Sequence, residues 1–323
     1  MLISTKANSR PMFIENNLLE LDATTKASVL LEALPYVQRF KNSIFVIKYG
    51  GAFMDSGDLS KRKKIASDIA FLHAVGIKVA IVHGGGKAIT NTLKEKAIKT
   101  EFKNGLRVST RSIIKVVDQT LNQKISPEIC QDIIEQGAHA TPIDGKDILL
   151  CNQKMFTDEN NSAHSYDLGF VGEIYSVKTK IIKKALTSGS IPVISPLAKD
   201  NDGNIYNTNA DSAACKVATA LKARRLVYLC DVPGLMRDVE NPESLISSLQ
   251  IHQISELINN KVISSGMIPK VESAQSALLE GVKRVHFIHA EQAHSLLLEI
   301  FTHQGIGTEI LNSQFDKWNT TQH

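Results

Sequence analysis

The sequence predicts an α/β fold, with helices on both sides of a mainly parallel sheet. Three observations carry this. Five runs, Ile44–Ile47, Val79–Val82, Ile191–Ile194, Leu226–Leu229 and Val285–Ile288, are short and β-branched. Such runs suit strands buried on both faces. Helical patterns occupy the intervals between them, as alternating β and α units require. Glycine clusters, Gly50-Gly51 and Gly84-Gly85-Gly86, closely follow the first two runs.

In chain order, residues 1–20 show no clear period and are read as disordered. Residues 22–40 read as an amphipathic helix, capped by Asp22 or Thr24, with Leu30, Leu31, Leu34 and Val37 on one stripe. Pro35 falls inside it and predicts a kink. The stripe covers either the chain's own domain or a neighbouring subunit. Helices are then expected over Leu59–Ala74, Ala88–Lys99, Ile113–Leu121, Ile181–Leu186 and Asp211–Ala223. The segment 141–180 is rich in Asn, Asp and Gly, and predicts a hairpin or two. No repeat or low-complexity linker interrupts the chain, so any domain boundary is a crossover inside the sheet.

The chain has 323 residues, room for one or two domains at about 150 residues each. Hydrophobic residues make up 43% and charged residues 22%, an ordinary globular balance. The apolar runs are too short for a membrane span. Lys plus Arg is 37 against 33 acids, a surplus too small and dispersed for nucleic acid, and aromatics are only 6%. Cys130, Cys151, Cys215 and Cys230 stand apart, without CxxC, and read as buried free thiols. With no secretory pattern at the N-terminus, a cytoplasmic location is expected.

Glycines beyond the carboxyl ends of buried strands allow backbone N–H groups to approach an anion, and a following helix adds its positive end. The alternative is a pair of tight strand-to-helix turns. The usual nucleotide signatures are missing: Gly86-Lys87-Ala88 does not complete a phosphate loop, and neither a dinucleotide fingerprint nor protein-kinase motifs occur. Asn209 is a good cap for the helix that carries Asp211 in its first turn. Asp231-Val232-Pro233-Gly234 is a turn after a strand. Lys270 follows Gly266 and Pro269 just inside a helix start, an unfavourable place for a cation unless an anion arrives.

The segments VIKYGGAFM, VHGGGKAIT, NGLRVS, DLGFVGEI, IPVISPL, DGNIYNTNADSAA, LCDVPGLMRD and GMIPKV occur in order over nearly the whole chain. Together they resemble the amino-acid kinase family, in particular its branch acting on N-acetyl-L-glutamate. The resemblance implies a three-layer αβα sandwich around a mainly parallel sheet, preceded by the kinked N-terminal helix. It implies an arm over residues 1–40, an acyl-amino-acid and dimerisation part over 41–222, and an ATP part over 223–323. The implied reaction moves the γ-phosphoryl of ATP, with Mg²⁺ held mainly by phosphate oxygens, to the side-chain carboxylate of N-acetyl-L-glutamate. A one-methylene-longer acyl amino acid such as N-acetyl-aminoadipate is an alternative acceptor, and a non-catalytic arginine-sensing protein an alternative role.

By the resemblance, Lys48 and Lys270 neutralise the phosphoryl group from the acceptor and nucleotide sides, and Asp211 orients both. Gly85, Gly86, Arg107 and Asn207 would bind the acyl amino acid, Arg107 as a fork for its α-carboxylate. Gly50, Gly51, Asp231 and Gly234 would hold phosphate and nucleotide, and Tyr206 would be structural. No protein metal ligand is implied. The chain departs from the family pattern at Lys87, where Pro is common, at Ser109, where Thr is usual, and at Ser126-Pro127, where Asn-Lys is usual.

LLEALPYVQRF resembles the arm of arginine-inhibited members, which interlace as a hexamer, a trimer of dimers. HSLLLEIFTHQGIGTEI resembles their arginine segment, implying L-arginine at Glu299, with Gly305 and Gly307 in a tight loop. A PII-type signal protein binds some relatives, and the sequence leaves that partner open. His286, His289 and His294 near a strand end read as packed or solvated residues before metal ligands, and His83 as a brace for its glycine loop.

Overall fold

The computed structural model describes residues 22–50, 59–103, 105–158, 161–263 and 266–312. The expectation for residues 1–20 and the placement of Gly51 lie outside the described residues. The first element, α1 (Ala23–Phe40), starts where Asp22 Oδ1 accepts the N–H groups of Thr24 and Thr25, and runs through Pro35. Then come β1 (Ile44–Tyr49), α2 (Leu59–Ala74), β2 (Lys78–His83) and α3 (Gly86–Glu95). The small hairpin β3 (Phe102–Lys103) and β4 (Leu106–Arg107) leads to α4 (Arg111–Thr120). A π turn over Leu121–Ile125 continues into α5 (Ser126–Glu135) and β5 (Ala140–Ile143). The expected hairpin is β6 (Leu149–Asp158) with β7 (Asn161–Val177), and α6 (Lys180–Thr187) follows.

The second half comprises β8 (Ile191–Ile194), β9 (Leu197–Lys199), β10 (Ile205–Asn207), α7 (Ala210–Ala220) and β11 (Arg225–Cys230). After these come β12 (Ser248–Gln250), α8 (Ile254–Asn259), α9 (Ile268–Leu279), β13 (Arg284–His289), α10 (Ser295–Phe301) and β14 (Thr308–Leu311). The main sheet has the order β12-β14-β13-β11-β1-β2-β8-β5. Every neighbouring pair in it is parallel except β13 with β14. Strands β6, β7, β9 and β10 close a second, smaller sheet.

Residues alternate across the pleat and feed two separate cores. Val46, Ala80 and Val82 pack with Ala214, Val217 and Ala218 of α7 and Ala274 of α9. Phe45, Ile47, Val79 and Ile81 pack with Ile69 of α2, Ile129 of α5 and Leu296 of α10. Helices therefore cover both faces of a mixed, mostly parallel sheet, and the alanines of α7 bring that helix close to it.

Some elements differ from expectation. Helix α3 ends at Glu95, before Lys99, because Ala97 takes a left-handed conformation at φ 53°. Helix α5 was not anticipated. Its Pro127 has no N–H to give to the turn before it, and the chain passes from α4 into α5 through the π turn, where the Ser126 N–H donates to Leu121 O.

Candidate active site

Strands β1, β2, β8 and β11 all end on one side of the sheet, where parallel sheets bind ligands. Lys48, the penultimate residue of β1, directs its ammonium to Asp211 Oδ1 at 2.8 Å. Lys270, in the first turn of α9, reaches Asp211 Oδ2 at 3.6 Å. Asp211 is 9% exposed and sits in the first turn of α7, where the Asn209 side chain accepts its N–H. Two cations from distant parts of the chain thus converge on opposite oxygens of one carboxylate.

Beside this triad lies a cavity of about 240 Å³ lined by Lys48, Gly84, Gly85, Gly86, Arg107, Asn207 and Asp211. Arg107 is 4% exposed, and burial holds its pKa below the ordinary arginine value. Its Nη1 donates to Thr100 Oγ1 at 2.7 Å, and its Nη2 to Gly86 O at 3.0 Å and Thr90 Oγ1 at 2.7 Å. The guanidinium also lies 4.5 Å from the centre of the Phe102 ring. Asn207 is presented by the β9–β10 hairpin. Asp200 fastens that hairpin by accepting the Asn204 amide group and the Tyr206 hydroxyl. Tyr206 thereby supports its neighbour Asn207.

Gly85 is fixed by close approach. A Cβ there would lie 2.6 Å from both Leu121 Cδ2 and Ile125 Cδ1, side chains of the π turn. His83 braces the loop: its Nδ1 is 3.0 Å from Gly84 O and its Nε2 2.7 Å from Ser126 Oγ. Gly50 follows β1, whose Tyr49 carbonyl accepts the Gly84 N–H at 2.9 Å, so the ends of β1 and β2 are joined. Asp231 is exposed just after β11, while Gly234 packs beside Thr308 and is buried. Gly234, Leu235, Met236, Ile263 and Met267 line a small apolar hollow next to the start of α9. Lys87 is exposed on α3.

A second cavity, about 680 Å³, opens between α1, β13 and α10. Here Glu299, Gly305 and Gly307 come together. Glu299 Oε1 pairs with His286 Nδ1 at 2.7 Å, and Oε2 accepts the Ile306 and Gly307 N–H groups at 2.8 and 2.9 Å. Burial opposes the Glu299 charge, but the His286 hydrogen bond and charge and the two N–H groups outweigh it, leaving its pKa lowered. Gly305 takes φ +61°, and a Cβ there would meet Glu299 Oε2 at 2.6 Å. Glu299 is thus already committed to its own loop as well as facing the cavity.

Tyr36, Arg39, Arg225 and Arg284 complete this wall. Arg225 is 5% exposed; burial first, then the Arg284 charge, push its pKa down to about 9. The other notable histidine, His294, binds the buried carboxylate of Asp68 at 2.7 Å. Sequence reasoning missed Arg225, Arg284 and, among the supports of Arg107, Thr90, Thr100 and Phe102. Only Phe102 gave a local signal, as an aromatic beside a turn.

A family model described as the amino acid kinase family matches residues 43–289. The chain belongs to the amino acid kinase family. Curated relatives with the name acetylglutamate kinase match most of the chain. That of Desulfitobacterium hafniense is 44% identical over 88% of this chain and 96% of its own, and that of Gloeobacter violaceus is 42% identical over 90% and 94%. Among solved structures, N-acetylglutamate synthase from Neisseria gonorrhoeae, complexed with coenzyme A and N-acetyl-glutamate, matches with TM-score 0.76 and 25% identity. The match covers 88% of this chain and 63% of the synthase, so this chain spans less than two thirds of that protein. Giardia lamblia carbamate kinase bound to AMP-PNP shares the fold, with TM-score 0.61 and 17% identity over 84% of this chain and 99% of its own.

Proposed function

We infer that the chain is a kinase that phosphorylates the side-chain carboxylate of N-acetyl-L-glutamate with ATP in arginine biosynthesis. The observation that carries the mechanism is the pairing of Lys48 and Lys270 with one carboxylate, Asp211, at the mouth of the Arg107 cavity. Phosphoryl transfer needs positioning and neutralisation of charge spread over the phosphoryl oxygens. Lys48 faces the acceptor side and Lys270 the leaving oxygen, while Asp211 keeps their ammonium groups at fixed separation. Backbone N–H groups at Gly50, Gly51 and Gly85 receive the phosphoryl oxygens. Arg107 and Asn207 hold the acyl amino acid, with Gly85 and Gly86 close to it. Asp231, Gly234 and the apolar hollow beside them take the nucleotide, which enters as its Mg²⁺ complex. On this reading residues 41–222 serve the acceptor and residues 223–323 the nucleotide.

The second cavity is read as a site for L-arginine acting as feedback inhibitor. A carboxylate, Glu299, and two guanidinium groups, Arg225 and Arg284, face one space, which suits a ligand with a cationic side chain and an α-carboxylate. Helix α1 borders that space through Tyr36 and Arg39 and leaves Leu30 and Leu31 at 72% and 66% exposure. Burial of that stripe between copies gives the hexameric assembly, with residues 1–40 as its arm. A PII-type partner has no assigned surface. The test is ATP-dependent acyl-phosphate formation, trapped as hydroxamate, from N-acetyl-L-glutamate and N-acetyl-aminoadipate, with and without L-arginine. Trapped product from N-acetyl-L-glutamate that falls with arginine is expected. No product from it refutes the kinase reading, and turnover indifferent to arginine refutes the regulatory one.

A further inference from the structure

Helix α5 and the π turn before it touch the glycine-bearing end of β2, although neither supplies a group to the proposed chemistry. His83 is fully buried, and Gly84 O can only accept, so Nδ1 carries the proton and Nε2 is the acceptor. Ser126 Oγ, itself 1% exposed, must then donate to Nε2. One hydroxyl on α5 therefore decides the orientation of the ring that holds the Gly84 carbonyl. The π turn adds contact of a second kind, since Leu121 and Ile125 pack onto Gly85. Its register matters: deleting one residue there would rotate Ser126 by about 100° about the helix axis.

Helix α2 is tied to the same element, α5. Arg62, in the first turn of α2, donates from Nε to Asp132 Oδ2 at 2.8 Å and places Nη2 2.7 Å from the same oxygen. Its Nη1 reaches Glu128 Oε2 at 3.2 Å. Asp132 is 8% exposed. Tyr49 is buried at the end of β1; burial first, then the Asp132 charge, raise the pKa of its hydroxyl. Tyr49 in turn accepts the Gly84 N–H through its carbonyl. The end of β2, which the Tyr49–Gly84 bond joins to β1, and the start of α2 are thus both held by α5.

We propose that Ser126, acting through His83, and Arg62, acting through Asp132 and Glu128 on the placement of α5, are positioning residues that hold the Gly84–Gly86 loop in register with the end of β1. The inference rests on the phosphoryl-transfer reading of that site. Its physical basis is tolerance. Donors must sit within about 0.5 Å of the productive geometry, and a shift of about 1 Å costs on the order of 100-fold in rate. Glycine has no side chain to anchor itself, so the register must come from its neighbours.

The test uses the full chain with Ser126→Ala, Ser126→Thr, Arg62→Lys and the double variant Ser126→Ala/Arg62→Lys. kcat and both KM values are measured alongside thermal unfolding by circular dichroism. Ser126→Ala is expected to lower kcat at least tenfold with KM for ATP within twofold of wild type, and Ser126→Thr to recover kcat to within threefold. Arg62→Lys, which keeps the charge and loses the fork, is expected to lower kcat at least fivefold. The double variant is expected to lose less than the product of the single effects, since both act on one register. A folded Ser126→Ala protein with wild-type kcat, or a Thr variant no better than Ala, overturns the proposal. If Ser126→Ala does not fold, an Arg62→Lys kcat within twofold of wild type overturns it instead. Active wild type with unaffected variants refutes this inference alone, whereas wild type inactive on every acceptor refutes the kinase reading and this inference with it.

Discussion

Protonation of His83 links the glycine loop to acid stability, and the effect has a definite sign and size. Burial pushes the pKa of this fully enclosed imidazole down to about 4, against the small opposing effect of the Gly84 carbonyl. In the unfolded chain the ordinary value is about 6.5. Between these values the unfolded state binds a proton that the folded state refuses, so unfolding becomes easier as pH falls. From pH 7 to pH 5 the loss works out at about 2 kcal/mol, approaching about 3 kcal/mol near the folded pKa. Asp68 acts in the opposite sense. Burial, only partly offset by His294, raises its pKa, so its contribution improves as pH falls. The total pH profile therefore mixes signs, and a difference measurement isolates His83. Urea unfolding of wild type and His83→Gln, followed by circular dichroism at pH 7, 6 and 5, supplies it. The wild type is more stable at pH 7, and the gap should narrow by about 2 kcal/mol by pH 5. Parallel curves would show that the imidazole protonates freely in the folded state, and the buried tautomer assigned above would be wrong.

Lys48→Met and Lys270→Met should each lower kcat by roughly 10²–10³, the range for loss of one preorganised charge, in a steady-state ADP-release assay; a tenfold effect or less would remove that lysine from the mechanism. Arg107→Lys should raise KM for N-acetyl-L-glutamate at least tenfold and leave KM for ATP unchanged, because an ammonium cannot replace the fork or its three present partners. Glu299→Gln should raise the L-arginine concentration for half-inhibition at least tenfold, read from inhibition curves at fixed substrate. Leu30→Glu with Leu34→Glu should reduce the assembly seen by mass photometry, because both side chains are exposed on α1.

The strands were legible because β-branched runs buried on both faces leave little choice of conformation. The cap at Asn209 was legible for an equally local reason: its side chain accepts the Asp211 and Ser212 N–H groups one turn away. Lys48, Lys270 and Asp211 stand in three separate segments, and their meeting follows from the crossover order of the sheet, which no local pattern contains. The resemblance to known motifs named them, and the geometry then brought them within ion-pair distance. Helix α5 was lost because Ser126-Pro127 reads as a break when the preceding π turn is not foreseen. The ties between Arg62 and Asp132, and between His294 and Asp68, cross 70 and 226 residues, beyond any helical or strand period. For Glu299 nothing in the sequence pointed to its loop contacts, since the two backbone donors that occupy one oxygen follow from the turn and not from a local pattern.

The choice of acceptor follows from what the cavity offers a proton. A hydroxyl acceptor must lose its proton during phosphoryl transfer and needs a base placed to take it. Of the described residues lining the cavity, the one carboxylate is Asp211, and two ammonium groups flank it. Accepting a proton there would discharge the group that spaces both lysines. The nearby imidazole of His83 has Nδ1 engaged by Gly84 and Nε2 by Ser126, so it faces no substrate. A side-chain carboxylate, with an ordinary pKa of about 4.3, arrives already ionised at neutral pH and makes no such demand. Lysines, an arginine fork and glycine N–H groups without a free base form a poor site for phosphorylating an alcohol and a suitable one for making an acyl phosphate. The same logic says that kcat for the natural acceptor should stay level from pH 8 down to pH 6, where a base-catalysed transfer to a hydroxyl would fall. A kcat that dropped tenfold across that interval, with the protein still folded, would require a titrating base and would contradict the carboxylate acceptor.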